Sequence, residues 1–355
     1  MLYTVTLNPT IDRTVLLDAN LIPGDVNRGS MYRVVAGGKG INCAEAAKGM
    51  GVPAAAYTII GKDNIEEFEK ATGGLSSEIR AEMKAGFTRT CVKIKSQNGM
   101  TTEINEKGCR ISADEMRSLI SRILTDMKNE GKPSFVLLCG SVPPEVESGV
   151  YSGMIALLQK LGVACMVDCD GVALQNALTA KPFLIKPNLS EFEALMGKTY
   201  TNIPEMAKDA KKLATENGTS VLLTIGGDGM LFANSETVYK VNVPDLSVST
   251  TVGAGDTVLG VFAAALSKHL PTEKALQLAG AAACAKVVGQ PGDFPGQNQA
   301  LPYLNQISVV ELDLEEKEEA PLGEEEMDSE IFFEDLEEEI EESADKTAEE
   351  TIENT

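Results

Sequence analysis

The 355-residue chain has no tryptophan, a single histidine and no uninterrupted apolar run long enough to cross a membrane. With His269 as the only imidazole, a Ser/His/Asp or Cys/His mechanism would rest on one residue, so we expect proton transfer by a carboxylate or a lysine. The seven cysteines form no C-x-x-C pair, which predicts reduced core residues and no zinc site. The first residues, MLYTVTLNPTID, lack the basic and apolar regions of a signal peptide, so we expect a cytoplasmic protein.

A basic surface is also missing. The net charge of −22 is concentrated in residues 311–355, which hold 22 acidic residues and two lysines, whereas the first 310 residues have a net charge of −2. A nearly neutral body without a basic face argues against a nucleic-acid partner. We therefore predict a domain over residues 1–310 and an acidic tail over residues 311–355, which self-repulsion should keep unfolded and whose partner is unknown.

Within residues 1–310, short apolar runs alternate with amphipathic segments. The runs LYTVTL, AAAYTII, FVLLCG, VACMVDC, FLIKPN and VLLTIG predict buried strands, and helices are predicted at about 39–50, 112–130, 145–161, 203–216, 254–268 and 272–288. Buried strands separated by helices indicate an α/β fold with a doubly wound, mostly parallel sheet. The alternating runs in residues 12–35 and 87–105 predict instead a small antiparallel sheet, which would form a lid over a cleft and a surface for a homodimer.

The most informative motif is Thr250-Thr-Val-Gly-Ala-Gly-Asp256, which precedes the apolar segment TVLGVFAAAL. It places Gly253, Ala254 and Gly255 at the start of a helix, where backbone N–H groups lack partners and face the positive end of the helix dipole. Small side chains let a phosphoryl group approach this backbone closely. Asp256, in the first helical turn, can accept the proton of an attacking hydroxyl. The motif therefore indicates phosphoryl transfer, with a tight turn and a capping aspartate as the alternative.

A second glycine-rich motif, Gly37-Gly-Lys-Gly-Ile-Asn42, lies near the start of the chain. Together the two motifs resemble those of the ribokinase-like sugar kinases, the phosphofructokinase-B family, and the resemblance extends from VTLNPTID to about residue 288. It implies a ribokinase-like fold, a small-molecule sugar substrate, and ATP and Mg²⁺ as cofactors. It also implies that Asp256 is the catalytic base and that the amides of Gly253, Ala254 and Gly255 form an anion hole.

The resemblance extends to the nucleotide site. The segment TIGGDG is similar to the family's S-x-G-x-x-G segment along ATP, although a glycine-rich hairpin would have the same composition. It implies three nucleotide contacts, Thr224, Gly226 and Gly229.

The segment KPNLSE is similar to the family's N-x-x-E segment. It implies that Lys186 and Asn188 contact the nucleotide and that Asn188 and Glu191 hold Mg²⁺ through water, since Mg²⁺ keeps several of its waters in proteins. Asn188 and Glu191 also have the spacing of a helix capping box, and the two interpretations are compatible.

For the sugar, the resemblance implies contacts from Asp12, Gly38, Lys39, Asn42, Arg89 and Asn105. Lys39 and Arg89 together could clamp a substrate phosphate from two sides, because phosphate recognition requires cations. Within the family, GGKGIN, TRTCVKIK and TTEINEKG most resemble the members that convert fructose 1-phosphate to fructose 1,6-bisphosphate. Members that act on tagatose 6-phosphate or fructose 6-phosphate are the alternatives, and a non-catalytic sugar-phosphate sensor is an alternative of another class.

Overall fold

The computed structural model describes residues 1–290 and 292–314, so the predicted tail lies outside the described residues from residue 315 onward. The strands are β1 (Leu2–Thr6), β2 (Thr10–Leu17), β3 (Gly29–Gly37), β4 (Ala54–Gly61), β5 (Glu78–Lys84), β6 (Arg89–Lys95), β7 (Thr101–Asn105), β8 (Phe135–Cys139), β9 (Ala164–Asp168), β10 (Leu184–Ile185), β11 (Ser220–Thr224), β12 (Met230–Ala233), β13 (Val238–Asn242) and β14 (Ser308–Glu311).

The α-helices are α1 (Lys39–Gly49), α2 (Ile65–Thr72), α3 (Ala113–Glu130), α4 (Val150–Lys160), α5 (Gly171–Thr179), α6 (Leu189–Met196), α7 (Ile203–Asn217), α8 (Ala254–Ser267), α9 (Thr272–Val288) and α10 (Gln297–Leu304). None of these described helices has the length and apolar character that crossing a membrane requires.

A 10-stranded sheet with the order β14-β13-β12-β11-β10-β9-β8-β1-β4-β5 forms the centre of the fold. The strands from β5 to β11 in this order pair in parallel, and β12, β13 and β14 extend one edge in antiparallel fashion. Strands that helices cover on both sides must be apolar throughout, and β1, β4 and most of β8 and β9 are indeed buried. The prediction of a doubly wound, mostly parallel sheet is therefore confirmed.

The predicted lid is a 4-stranded sheet with the order β3-β2-β6-β7. Its two hairpins, β2 with β3 and β6 with β7, are antiparallel as predicted, and the two are joined through a parallel pairing of β2 with β6. This pairing aligns Asp12 with Cys91. The lid therefore brings two segments that are distant in the sequence side by side.

The structure also refines several predicted boundaries. The helix predicted from residue 145 begins only at Val150, and Glu145, with a positive φ of 64°, lies outside the right-handed helical region. The fold continues slightly past the predicted domain boundary at residue 310, since β14 ends at Glu311 and Leu312 donates to the carbonyl of Val238. All seven cysteines are free, as predicted, and most are buried.

Candidate active site

The start of α8 forms the centre of the candidate site. Gly253 precedes the helix with φ 78°, a left-handed conformation that favours glycine, and its carbonyl accepts hydrogen bonds from the N–H and the hydroxyl of Thr257 at 2.9 and 2.8 Å. The amide of Ala254 donates to the carbonyl of Thr251 at 3.2 Å. Because α8 is buried along most of its length, packing fixes the direction of this first turn.

Asp256 is buried in this first turn, and its Oδ2 accepts a hydrogen bond of 2.7 Å from Nδ2 of Asn42 on α1. Burial, reinforced by the carboxylate of Asp168, raises the pKa of Asp256, while Lys39 and the bond from Asn42 oppose this shift. A carboxylate with a raised pKa is a stronger base. The two glycine-rich motifs of the sequence therefore meet at one side chain.

Asp168, at the end of β9, is fully buried and lies between two lysines. Its Oδ1 is 2.7 Å from Nζ of Lys39 and its Oδ2 is 3.0 Å from Nζ of Lys186. Although burial opposes ionisation, Lys186 and Lys39 hold the pKa of Asp168 below its usual value. Burial also opposes the charge of Lys39, yet Asp168 and Glu191 raise its pKa. The result is a buried network of fixed charges beside Asp256.

A pocket between the lid and the body contains two of the predicted sugar-binding residues, Asp12 and Asn42. Asp12 is buried on β2 and forms an ion pair with Lys93 on β6. Its other oxygen, Oδ1, is buried without a hydrogen-bond partner among the described residues. A buried acceptor of this kind is suited to a ligand hydroxyl, because leaving it unpaired costs free energy.

The remaining predicted sugar-binding residues do not line this pocket. Gly38 directly precedes α1, and a Cβ atom there would lie 2.7 Å from Cγ2 of Thr6. Arg89 begins β6 and donates to the carbonyls of Asn8 and Glu106, and Asn105 is exposed at the end of β7. Lys39 and Arg89 thus have different partners, and the predicted clamp between them stays a prediction.

A second cavity of about 700 Å³ lies on the opposite side of the α8 turn. Four of the predicted nucleotide-binding residues line it, namely Asn188, Thr224, Gly226 and Gly229. Much of the remaining wall is apolar and includes Val243 and Leu246, and the volume is in the range of small-molecule sites. Lys186 reaches the same region, since a Cβ atom at Gly255 would lie 3.2 Å from its Nζ.

Asn188 and Glu191 form the predicted capping box at the start of α6. Oε2 of Glu191 accepts from the amide of Asn188 at 2.8 Å, and its Oε1 is 3.6 Å from Nζ of Lys39. Within residues 1–290 and 292–314 no group of three or more acidic, histidine or cysteine side chains could hold a metal ion. The role of Asn188 and Glu191 in holding Mg²⁺ through water, an arrangement in which few protein ligands are needed, stays a prediction.

The sequence reasoning missed Asp168 and Lys93. Asp168 ends a buried strand next to β10, and the carboxyl ends of parallel strands are where α/β proteins bind ligands, so the segment VACMVDC contained a usable signal. Lys93 is two residues from Lys95 in the alternating strand β6, and both line the pocket. Only the parallel pairing of β2 with β6 brings Lys93 to Asp12.

Comparison with known proteins gives consistent results. The family model described as pfkB family carbohydrate kinase matches residues 5–295. The chain is 33% identical over 278 residues to a 1-phosphofructokinase of Bacillus subtilis, covering 78% of this chain and 89% of the relative. It is 31% identical over 277 residues to the 1-phosphofructokinase of Haemophilus influenzae, covering 78% and 87%. Phosphofructokinase-2 from Escherichia coli, solved in complex with substrates and products, has a TM-score of 0.79 at 25% identity, covering 86% of this chain and 98% of its own.

Proposed function

The chain belongs to the pfkB family of carbohydrate kinases, and from that premise we propose that it phosphorylates the 6-hydroxyl of fructose 1-phosphate with ATP. The family makes the protein a phosphotransferase that acts on a sugar hydroxyl, with ATP as the phosphoryl donor. One observation supports the proposal most strongly. Residues 250–255 line both cavities: Gly253 and Thr250 face the lid pocket, and Ala254 and Gly255 face the larger cavity. A phosphoryl group would cross from one cavity to the other at this turn.

In the proposed reaction, Asp256 accepts the proton of the 6-hydroxyl as that oxygen attacks the γ-phosphorus, and ADP leaves. The raised pKa of Asp256 supports this assignment, because the carboxylate gains basicity while Asn42 keeps it oriented. The first-turn amides of α8 would stabilise the charge on the transferred group. Lys39 and Lys186, both bound to Asp168, would add positive charge on the same side.

Mg²⁺ would neutralise the phosphates of the nucleotide and orient the γ-phosphoryl group. We infer that Asn188 and Glu191 hold it through water at the edge of the larger cavity. Their capping box keeps both side chains in place, because each side chain accepts a hydrogen bond from the other residue's amide.

The phosphate of the substrate needs a cation at the lid end of the pocket, away from Asp256. Arg89 is our candidate for this cation. Its guanidinium donates to the backbone carbonyl of Asn8, and the side-chain amide of Asn8 donates to the hydroxyl of Ser141 at 3.1 Å. Arginine recognises phosphate through paired donors, and the backbone carbonyls that Arg89 now contacts are weaker partners than a phosphate. In this proposal Lys39 acts at the transferred group and Arg89 at the substrate's own phosphate.

A homodimer through the lid is also proposed. The lid strands carry several exposed apolar side chains, among them Met31 and Val34 on β3 and Ile104 on β7. Apolar patches on one face of a small sheet favour pairing with a second copy. Sedimentation analysis at micromolar concentration should show a dimer, and Val34→Glu should shift it toward the monomer. A monomeric wild type would exclude the proposal.

The substrate is tested by measuring ATP consumption with Mg²⁺ against fructose 1-phosphate, fructose 6-phosphate, tagatose 6-phosphate and ribose. We expect the highest kcat/KM with fructose 1-phosphate. Preference for a 6-phosphate would retain the chemistry but reverse which end of the sugar faces Asp256. Absence of turnover with every sugar phosphate would refute the kinase proposal.

A further inference from the structure

Lys286 is a buried cation that the proposed reaction leaves without a function. It lies on α9 with 2% of its surface exposed. Its Nζ donates a hydrogen bond of 2.5 Å to the carbonyl of Asp293 and lies 4.4 Å from the centre of the Phe294 ring. Burying an ammonium group costs free energy unless it is paired, and a single carbonyl and a ring are modest partners. A charge kept in such a place is a candidate for function.

The side chain of Lys286 lies directly against the anion-hole turn. A Cβ atom at Gly253 would be 3.2 Å from its Cε and 3.6 Å from the ring of Phe294. The neighbouring residue on α9, Val287, accepts hydrogen bonds at its carbonyl from the amides of Ser249 and Thr250, at 2.7 and 3.1 Å. The end of α9 therefore supports both the approach to the turn and the turn itself.

Lys286 is also connected to the lid. Asp293, whose carbonyl it contacts, forms an ion pair through its carboxylate with Arg33 on β3. The lid strand β6 reaches the same region, because Nζ of Lys95 is 3.2 Å from the carbonyl of Ser249. Lys286 thus lies where the lid, α9 and the start of α8 meet.

We propose that Lys286 is a positioning residue for the anion hole: its side chain, which lines the lid pocket beside Gly253, holds the turn in place and supplies fixed positive charge there. This inference rests on the proposed function, because it presupposes that the turn binds the transferred phosphoryl group. Charge that is already oriented when the transition state forms lowers the barrier without reorganisation. The effect should therefore be on kcat, with little effect on the binding of either substrate.

The first test is Lys286→Met, which keeps an unbranched apolar stem, is one heavy atom shorter and removes the charge. Lys274→Met, the same change at an exposed position of the same helix, is the matched control. Loss of a direct anion-hole donor costs about 10²–10³ in kcat, so we expect a loss of about tenfold or more for this indirect support. KM for both substrates should stay within about threefold, and the control should match wild type.

The pH profile gives a second readout that a purely structural residue would not change. Burial, together with the charge of Lys93, lowers the pKa of Lys286 to about 8. The charged groups around it are Lys93 and Lys95 on β6, Arg33 on β3, Asp256 on α8 and Asp293. Since the protonated form is the active one, the kcat of the wild type should fall as pH rises through about 8. Lys286→Met should lack this alkaline decrease.

If Lys286→Met does not unfold in a cooperative thermal transition, the same measurements are made on Lys286→Gln, which is also neutral but polar. A folded neutral variant with wild-type kcat, or one whose kcat keeps the alkaline decrease, would overturn the inference. A rise in KM for the sugar phosphate with unchanged kcat would also overturn it, because Lys286 would then bind substrate. A failure of the proposed function would give a different result from a failure of this inference, since the wild type itself would then transfer no phosphoryl group to any sugar phosphate.

Discussion

Replacing Asp256 by asparagine removes the proposed base while keeping its shape. The Oδ1 of asparagine can accept the hydrogen bond that Nδ2 of Asn42 now donates to Asp256 at 2.7 Å, so the side chain should keep its orientation. A positioned general base contributes about 10²–10⁴ in rate, or about 3–5 kcal/mol of transition-state stabilisation. We therefore expect kcat to fall by at least about 10², with KM for the sugar phosphate and ATP within about threefold.

The stability of the variant provides an independent check of the buried charge. Burial and the carboxylate of Asp168 raise the pKa of Asp256, so the ionised form is disfavoured in the folded state. At pH 7, which lies above the pKa of an aspartate in the unfolded chain, ionised Asp256 should reduce the free energy of unfolding. Asp256→Asn removes this penalty, so its Tm should equal or exceed that of the wild type.

The assay is coupled detection of ADP at saturating substrates, combined with calorimetric binding of the sugar phosphate. Asp114→Asn, the same substitution in the first turn of α3, is the matched control and should leave kinetics unchanged. A kcat for Asp256→Asn within about threefold of the wild type would refute the assignment of the base. So would a large loss of sugar-phosphate affinity with little change in kcat, because Asp256 would then be a binding residue.

Three further predictions concern other parts of the structure. Gly253→Ala and Gly218→Ala both place a Cβ at a positive φ, and each should lower the free energy of unfolding by about 1–2 kcal/mol. Only Gly253→Ala, whose Cβ also meets Lys286, should lower kcat. Equal kcat values for the two variants would contradict this packing argument. Arg89→Met should raise KM for the sugar phosphate by about tenfold or more while KM for ATP stays constant, and unchanged sugar kinetics would exclude Arg89 as the phosphate contact. Truncation after Asp313 retains β14 and should leave kcat and both KM values unchanged, whereas a clear change would assign residues 314–355 a part in catalysis.

Much of the fold could be predicted because its signals are local. Continuous apolar runs predicted β1, β4, β8, β9 and β11, and the 3.6-residue pattern predicted the longer helices to within a few residues, apart from the start of α4. The elements that were missed are short or lie at an edge. Helices α2, α5 and α10 span two to three turns, β12, β13 and β14 form the antiparallel edge of the sheet, and β5 is the strand at its other edge. Short elements carry little periodic signal and depend on tertiary packing.

The sequence alone determined those parts of the site that depend on residues close together in the chain. The TVGAGD turn and the capping box of Asn188 and Glu191 are examples, because their hydrogen bonds join residues only a few positions apart. The alternation of strands and helices likewise specified the doubly wound class.

Only the tertiary structure decided which charges meet. Lys39 and Asp168 are 129 residues apart, and Asn42 and Asp256 are 214 apart, yet each pair is within 2.7 Å. The parallel register of the sheet and the packing of α1 against α8 bring them together, and no local pattern encodes either. Lys286 could not be identified from the sequence for the same reason. It is one lysine in an alanine-rich helix, and only the tertiary structure shows that it is buried against Gly253.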